Sequence, residues 1–243
     1  MARLRLDQLL VQRGLCDSRE QAKRLILAGE VVVQGLSKVK PGQNVAEDAE
    51  IRVKEKPKYV GRGGLKLEGA LKAFGIDPTG NVGVDIGSST GGFTDCLLQA
   101  GAKKVFAFDV GTNQLVWKLR DDPRVVSREK FNCRNLTAED VGEPADIVVM
   151  DVSFISLTKI LPAAFSVLAE QGNLICLIKP QFELERGEVG KGGIVREPEL
   201  HDKAVAKIRK FATEELNKQW RGLTDSPITG TDGNREFLAW MGH

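Results

Sequence analysis

Residues 82–93, VGVDIGSSTGGF, decide the fold. Val82 and Val84 are β-branched and read as a short buried strand. Asp85 stands at the carboxyl end of that strand. Gly87, Gly91 and Gly92 let the backbone turn sharply and approach a ligand closely, and a helix follows to about Ala100. Ligands of open α/β sheets bind outside the carboxyl ends of the strands, so a cofactor is expected at this turn. The rest of the chain repeats the alternation. Lys104 to Asp109 reads as a second strand, Gln114 to Arg120 as a short helix and Val125 to Ser127 as a third strand. Asp146 to Met150 (DIVVM) and Asn173 to Ile178 (NLICLI) are apolar runs of the kind buried on both sheet faces. A helix over Leu161 to Ala169 lies between them. Glu199 to Leu216 reads as a helix, and Trp220 to Ser226 and Arg235 to Met241 as two last strands. The expectation is an α/β, Rossmann-like parallel sheet.

The turn discriminates between cofactors. A G-x-G-x-x-G template laid from Gly87 puts Ser89 where the middle glycine would admit a pyrophosphate. No G-x-x-x-x-G-K-[ST] occurs, which excludes a P-loop. A strand ending in Asp-x-Gly, with hydroxyl residues in the turn, resembles motif I of S-adenosylmethionine (SAM)-dependent methyltransferases. That resemblance implies SAM held by Asp85, Gly87, Ser88, Ser89, Thr90, Gly91, Gly92 and Phe93. Asp109 ends the second strand, in the window where a carboxylate contacts ribose hydroxyls. Asn132, after the third strand, stands where an adenine contact could form.

Composition narrows the chemistry. The chain has 243 residues and is 42% hydrophobic, enough for a sizeable core in one large domain or a large and a small one. No apolar run approaches a membrane span and no secretory pattern opens the chain. Cys16, Cys96, Cys133 and Cys176 are scattered without paired spacing, which fits a reducing cytoplasm and argues against a zinc site. With only His201 and His243 present, histidine-based catalysis is disfavoured. Proton transfer must use lysine, carboxylate or tyrosine.

Charge is uneven. Residues 1–59 hold 12 Lys and Arg against 8 Asp and Glu, while the remainder holds 23 against 25. A basic N-terminal piece on a near-neutral body suggests a polyanionic partner. Leu4 to Arg13 has helical apolar spacing and stops at Gly14. Ser18-Arg-Glu-Gln21 reads as a capping box, opening a helix to about Ala28 with Ala22, Leu25 and Ile26 inward. Val31 to Val33 and Ile51 to Val53 read as strands. Arg3, Arg5, Arg19, Lys23, Arg24 and Lys38 can line one exposed surface. The stretch RLDQLLVQRGLCDSREQAKRLILAGEVVVQG resembles the S4 domain, a small α+β RNA-binding module, over residues 1 to about 58. This implies contact with structured RNA through phosphates and shape. Lys54 to Tyr59, KEKPKY, reads as a linker within about 54–60, leaving 59–243 for the second domain.

Asp85, Asp109, Asp151 and Lys179 all follow apolar strands, so four ionisable groups are expected on one sheet edge. An ionised residue there is costly unless paired or functional. Lys66 falls in the first turn of a helix over Leu65 to Phe74, where a cation opposes the helix dipole, and by position alone it reads as an exposed lysine. Gly187 to Val195, GEVGKGGIV, follows a strand's carboxyl end and is expected to be a mobile active-site loop rather than a bland linker. Taken in order, GRGGLKL, DIGSSTGGFTDCLLQAGA, DVSFISL, LIKPQFE, EVGKGGIVR and GNREFL resemble the TlyA family, an S4 domain joined to an FtsJ/RrmJ-like methyltransferase domain. One departure is Gly61, where serine is expected before Arg-Gly-Gly. The resemblance implies a Lys-Asp-Lys-Glu tetrad for ribose 2′-O-methylation on Lys66, Asp151, Lys179 and Glu236, with Asp151 also beside SAM. It further implies a cytidine in ribosomal RNA, free or within ribosomal subunits, as substrate. No membrane association, metal or obligate protein partner is implied, although some members carry a haemolysin label. Three other readings remain at this level: a nicotinamide oxidoreductase, a non-catalytic RNA-binding assembly factor and a membrane-active toxin.

Overall fold

The computed structural model describes residues 3–54 and 57–243, and the chain divides into two units, Met1–Pro57 and Lys58–His243. The linker expected over 54–60 falls partly on Glu55 and Lys56, outside the described residues.

The first unit contains β1 (Arg3–Arg5), α1 (Leu6–Gln12), α2 (Arg19–Leu27), β2 (Val31–Val33), β3 (Asn44–Ala46) and β4 (Ile51–Val53). Antiparallel pairs join β1 to β3 and β2 to β4. This corrects the helix expected from Leu4: Arg3 to Arg5 is extended because its backbone pairs with Asn44–Ala46, a strand without a strong apolar signal. Ser18 caps α2 by accepting from Gln21 N at 3.2 Å. Gln21 Oε1 accepts from Asp17 N rather than Ser18 N, so only half of the expected capping box forms. Leu6, Leu9, Leu10, Ala22, Ile26, Val31, Val33 and Val45 form the core, with Leu25 half-buried at its edge.

The second unit runs α3 (Gly63–Phe74), β5 (Val82–Ile86), α4 (Gly92–Gln99), β6 (Lys104–Phe108), α5 (Trp117–Arg120), β7 (Val125–Arg128), α6 (Ala138–Val141) and β8 (Ala145–Met150). It continues through α7 (Leu161–Val167), β9 (Leu168–Ile178), α8 (Pro180–Glu183), α9 (Pro198–Lys210), β10 (Gln219–Asp225) and β11 (Phe237–Gly242). The sheet order is β10-β11-β9-β8-β5-β6-β7. The five strands β5 to β9 are parallel, and β11 is antiparallel to both β9 and β10. The strand order reverses between β5 and β8, and such a switch point opens a crevice at the carboxyl ends.

Alternation along the strands fills two cores. Val148 and Met150 of β8 face the layer holding α7 and α9, while Ile147 and Val149 face the α3 and α4 layer. All four are fully buried, and each contributes roughly 1.5–3 kcal/mol relative to exposure.

Several boundaries differ from expectation. The helix expected from Gln114 begins at Trp117, because Glu129 accepts from the N–H groups of Asn113, Gln114 and Leu115 and holds them in a loop. The helix from Leu161 stops at Val167, and the chain enters β9 directly at Leu168. The last long helix is regular only to Lys210, and Phe211–Glu215 forms a π-turn. Among the described residues no helix is long and apolar enough to cross a membrane, and no His, Cys, Asp and Glu cluster could hold a metal ion.

Candidate active site

The Val82–Phe93 stretch builds the floor of the site. Gly87 N and Ser88 N both donate to Phe108 O, and Asp151 N donates to Ile86 O at 3.1 Å. The tips of β5, β6 and β8 are thereby tied together. Gly87 has φ +83°, and a Cβ there would stand 2.6 Å from Asp151 O, so only glycine fits. Gly92 is equally constrained: its Cβ would meet Gly64 N at 2.9 Å. The backbones at the starts of α3 and α4 therefore touch, and the partial positive ends of both helices face the crevice.

Two adjoining cavities share Gly87, Ser89, Asp151, Ser153 and Phe154. Lys66, Asp151, Lys179 and Glu236 all line the first, with Ser88, Thr90, Gly92 and Phe93. Asp109 and Asn132 line the second, a cavity of about 620 Å³, within the usual range for a small ligand.

The four ionisable groups form two separate ion pairs. Lys66 Nζ lies 2.5 Å from Glu236 Oε2, with the side chains 10% and 3% exposed. Lys179 Nζ lies 2.6 Å from Asp151 Oδ1 and donates to Ser153 Oγ at 2.8 Å. The approach to Asp151 Oδ1 is an ion pair without hydrogen-bond alignment. Lys66 is not the exposed first-turn cation that its position suggested; Glu236 holds it inside. Lys179 follows β9, with Pro180 opening α8 behind it, so its position is fixed by the sheet.

Asp85 and Gly91 are on neither cavity wall. Val82, Val84 and Ile86 face one core layer, so Asp85 points to the other side, toward α4. It is fully buried and accepts from Thr94 Oγ1 at 2.6 Å. Among the described residues its Oδ1 has no hydrogen-bond partner. Burial pushes the Asp85 carboxyl up to about 7, with Asp151 and Asp109 adding to the rise and Thr94 opposing it. Gly91 packs on the α5 region, where its Cβ would meet Leu119 at 2.3 Å.

Asp109 accepts from Ser89 N (2.8 Å) and Gly111 N (2.6 Å), which fixes both oxygens and leaves each a lone pair. Asn132 Oδ1 caps the following turn through Arg134 N and Nε. Cys133 is no nucleophile at neutral pH, because burial, with Asp109 and Asp85 nearby, pushes its thiol up to about 12.

Several lining residues carry no signal in the sequence. Phe154 is 91% exposed with φ +65° and tilts against Phe182 at 5.1 Å between centroids. Arg62 donates to Thr229 O at 3.0 Å, linking the start of α3 to the loop before Glu236. The glycine-rich segment is more constrained than a free lid. Buried Asn234 accepts from Val195 N and donates to Gly193 O, both at 2.9 Å. The GNREFL motif contains Asn234, but nothing in the sequence indicates its long-range partners.

In the first unit, fully buried Asp7 binds both Arg5 (2.9 Å) and Arg19 (3.2 Å). The hydrogen bond from Arg5 holds its carboxyl down at about 2 despite burial, with Arg19 assisting. Two half-exposed guanidinium groups are thus fixed side by side. Lys23 pairs with Glu20. Arg3, Arg24 and Lys38 are exposed.

Comparison with known proteins agrees with this architecture. An FtsJ-like methyltransferase model matches residues 59–243 and an S4 domain model matches residues 4–51. YqxC of Bacillus subtilis, named as an rRNA methyltransferase, is 50% identical over 237 residues, covering 96% of this chain and 84% of that one. The 16S/23S rRNA (cytidine-2′-O)-methyltransferase TlyA of Mycobacterium tuberculosis is 45% identical over 241 residues, covering 98% and 90%. A solved structure of a protein named as a hemolysin, from Streptococcus thermophilus, is 46% identical with a TM-score of 0.75, covering 99% and 88%. The chain belongs to the TlyA family, in which an S4 domain precedes an FtsJ-like methyltransferase domain.

Proposed function

We propose that this chain transfers a methyl group from SAM to a ribose 2′-hydroxyl of ribosomal RNA, at a cytidine as the name of the M. tuberculosis relative states. The observation that carries the reading is the double ion pair, Lys66 with Glu236 and Lys179 with Asp151, on one cavity wall beside the Gly87 turn.

The residues suit the cofactor. Asp109, at the rim of the second cavity, has acceptor capacity for ribose hydroxyls, and Phe131 and Asn132 beside it suit a purine. The helix N-termini at Gly63 and Gly92 suit a carboxylate. SAM, when bound, supplies an electrophilic methyl group.

The chain then has two tasks: to align a poor nucleophile and to remove its proton. Glu236 is committed to Lys66, so Asp151 is the carboxylate that faces Lys179. In this reading Lys179 is the general base. A base must present a free amine, so the rate should rise with pH; Asp151 and Ser153 hold the Lys179 nitrogen in place. Lys66 and Glu236 line the same cavity as a second pair of opposite charges. Arg5 and Arg19, fixed on Asp7, are proposed to engage RNA phosphates together with Arg3, Lys23 and Arg24.

The test supplies purified chain with SAM labelled on its methyl group and with unmodified ribosomal subunits. Label recovered as 2′-O-methylcytidine after nuclease digestion supports the reading. Label on a nucleobase, or none transferred, refutes it.

A further inference from the structure

We infer that Glu183 is a positioning residue that sets Asp151 and Lys179 against each other; this rests on the methyl-transfer reading above. Glu183 ends α8, four residues after Lys179, and belongs to LIKPQFE, a motif otherwise represented in the site by Lys179, Gln181 and Phe182. It touches neither cavity, yet its side chain is only 1% exposed.

A carboxylate is seldom buried so far without a purpose for its charge. Here both hydrogen bonds that its carboxylate accepts lead to one site segment. Glu183 Oε1 accepts from Leu157 N at 2.8 Å, and Oε2 accepts from Ser156 Oγ at 2.5 Å. Both donors belong to the segment that leaves β8 at Asp151 and carries Ser153 and Phe154. Lys207 of α9 closes the arrangement, with Nζ 3.1 Å from Glu183 Oε2 and donating to Glu183 O at 2.7 Å. One carboxylate therefore clamps the Asp151–Leu157 segment onto the helix turn that begins at Lys179.

The consequence is geometric. The Lys179–Asp151 pair joins two chain segments that leave the sheet at the carboxyl ends of β8 and β9. Beyond those ends Phe154 is exposed and in the left-handed region, a conformation a bulky residue keeps only when its surroundings hold it. Ser156 and Leu157, two and three residues on, are the anchors. Without Glu183 the segment would relax, and Asp151 and Ser153 would lose their fixed distances to Lys179. Small displacements of reacting groups cost large factors in rate.

The experiment compares full-length wild type, Glu183→Ala, Glu183→Gln and Ser156→Ala in methyl transfer to ribosomal subunits, after wild-type activity has established the reaction. Glutamine can still accept from Leu157 N and donate to Ser156 Oγ. Glu183→Ala should lower kcat tenfold or more, with SAM Kd and RNA KM within twofold of wild type. It should also shift the pH–rate profile and speed hydrogen exchange over residues 152–157. Glu183→Gln should restore kcat to within about threefold, and Ser156→Ala should reproduce the profile shift with a smaller kcat loss. A folded Glu183→Ala with wild-type kcat and pH profile would overturn the inference. Should that variant not fold, Ser156→Ala with wild-type kcat and pH profile would overturn it equally. Wild-type protein that transfers no methyl group would refute the underlying reading instead.

Discussion

The Lys66–Glu236 pair allows stability and function to be separated. Both side chains are nearly excluded from water, at 10% and 3% exposure, and they meet at 2.5 Å. Removing one partner leaves the other charge buried without compensation, which costs about 3–5 kcal/mol. For a domain of this size each kcal/mol corresponds to roughly 2–4 °C. Glu236→Leu or Lys66→Met should therefore lower the melting temperature of the second unit by roughly 6–20 °C. The double variant Lys66→Met with Glu236→Leu removes both charges and fills the space with apolar atoms. It should recover to within about 1 kcal/mol of wild type, giving a coupling energy of about 5 kcal/mol or more. Methyl transfer should nevertheless stay abolished in all three. Scanning calorimetry and a methyl-transfer assay on the same preparations decide the matter. Strictly additive losses, or single variants within 1 kcal/mol of wild type, would refute the claim that the pair is a desolvated unit. An active double variant would refute its place in the chemistry.

Other outcomes follow from the same geometry. Asp85 has a folded pKa of about 7 against ~3.9 unfolded, so its contribution is intact below pH ~4 and is lost as pH rises toward 7. Asp85→Asn should gain up to about 4 kcal/mol on wild type across that window, read from urea unfolding at several pH values; a flat difference would mean that Asp85 ionises normally. Lys179→Arg should be inactive while SAM and RNA still bind, because guanidinium does not release its proton; an active variant would reduce Lys179 to a positive charge. Gly87→Val should abolish SAM binding in calorimetry, since its side chain would enter Asp151 O; unchanged affinity would move the cofactor elsewhere. Deleting residues 1–57 should weaken RNA binding and flatten its salt dependence, by roughly 0.7–0.9 in log–log slope for each phosphate no longer neutralised; an unchanged slope would exclude this unit from binding phosphates.

Much of the fold was legible because its signals are local. The runs DIVVM and NLICLI are apolar throughout, as strands buried on both faces must be, and both lie in the parallel core of the sheet. The Gly87 turn was legible because the left-handed backbone there admits little but glycine. Asn44–Ala46 was not, because a three-residue edge strand has too few side chains to show a period. The true start of α5 was hidden because Glu129, distant in sequence, captures the three amides before it. In the site, Lys66, Asp151, Lys179 and Glu236 were assigned by family resemblance, but which lysine meets which carboxylate depends on chain crossing and was not readable. Asp85 shows the limit of motif reasoning. Strand alternation turns it toward α4 and Thr94, away from the cavity that its motif marks. Asp7, Glu183 and Asn234 were not legible because single polar residues announce no partner, and apart from Arg5, two residues from Asp7, their partners lie 12 to 41 residues away in sequence.

The most direct test of the central claim is a nucleotide-resolution map of 2′-O-methyl groups in ribosomal RNA. The map would be taken from cells that carry the wild-type chain, no copy of it, or the Lys179→Arg variant. Lys66, Asp151, Lys179 and Glu236 acting as a 2′-O-methylation site predict one or more cytidines methylated on the 2′ oxygen with wild type and unmodified in the other two. Identical maps in all three, or a dependent methyl group on a base rather than a ribose, would contradict the account.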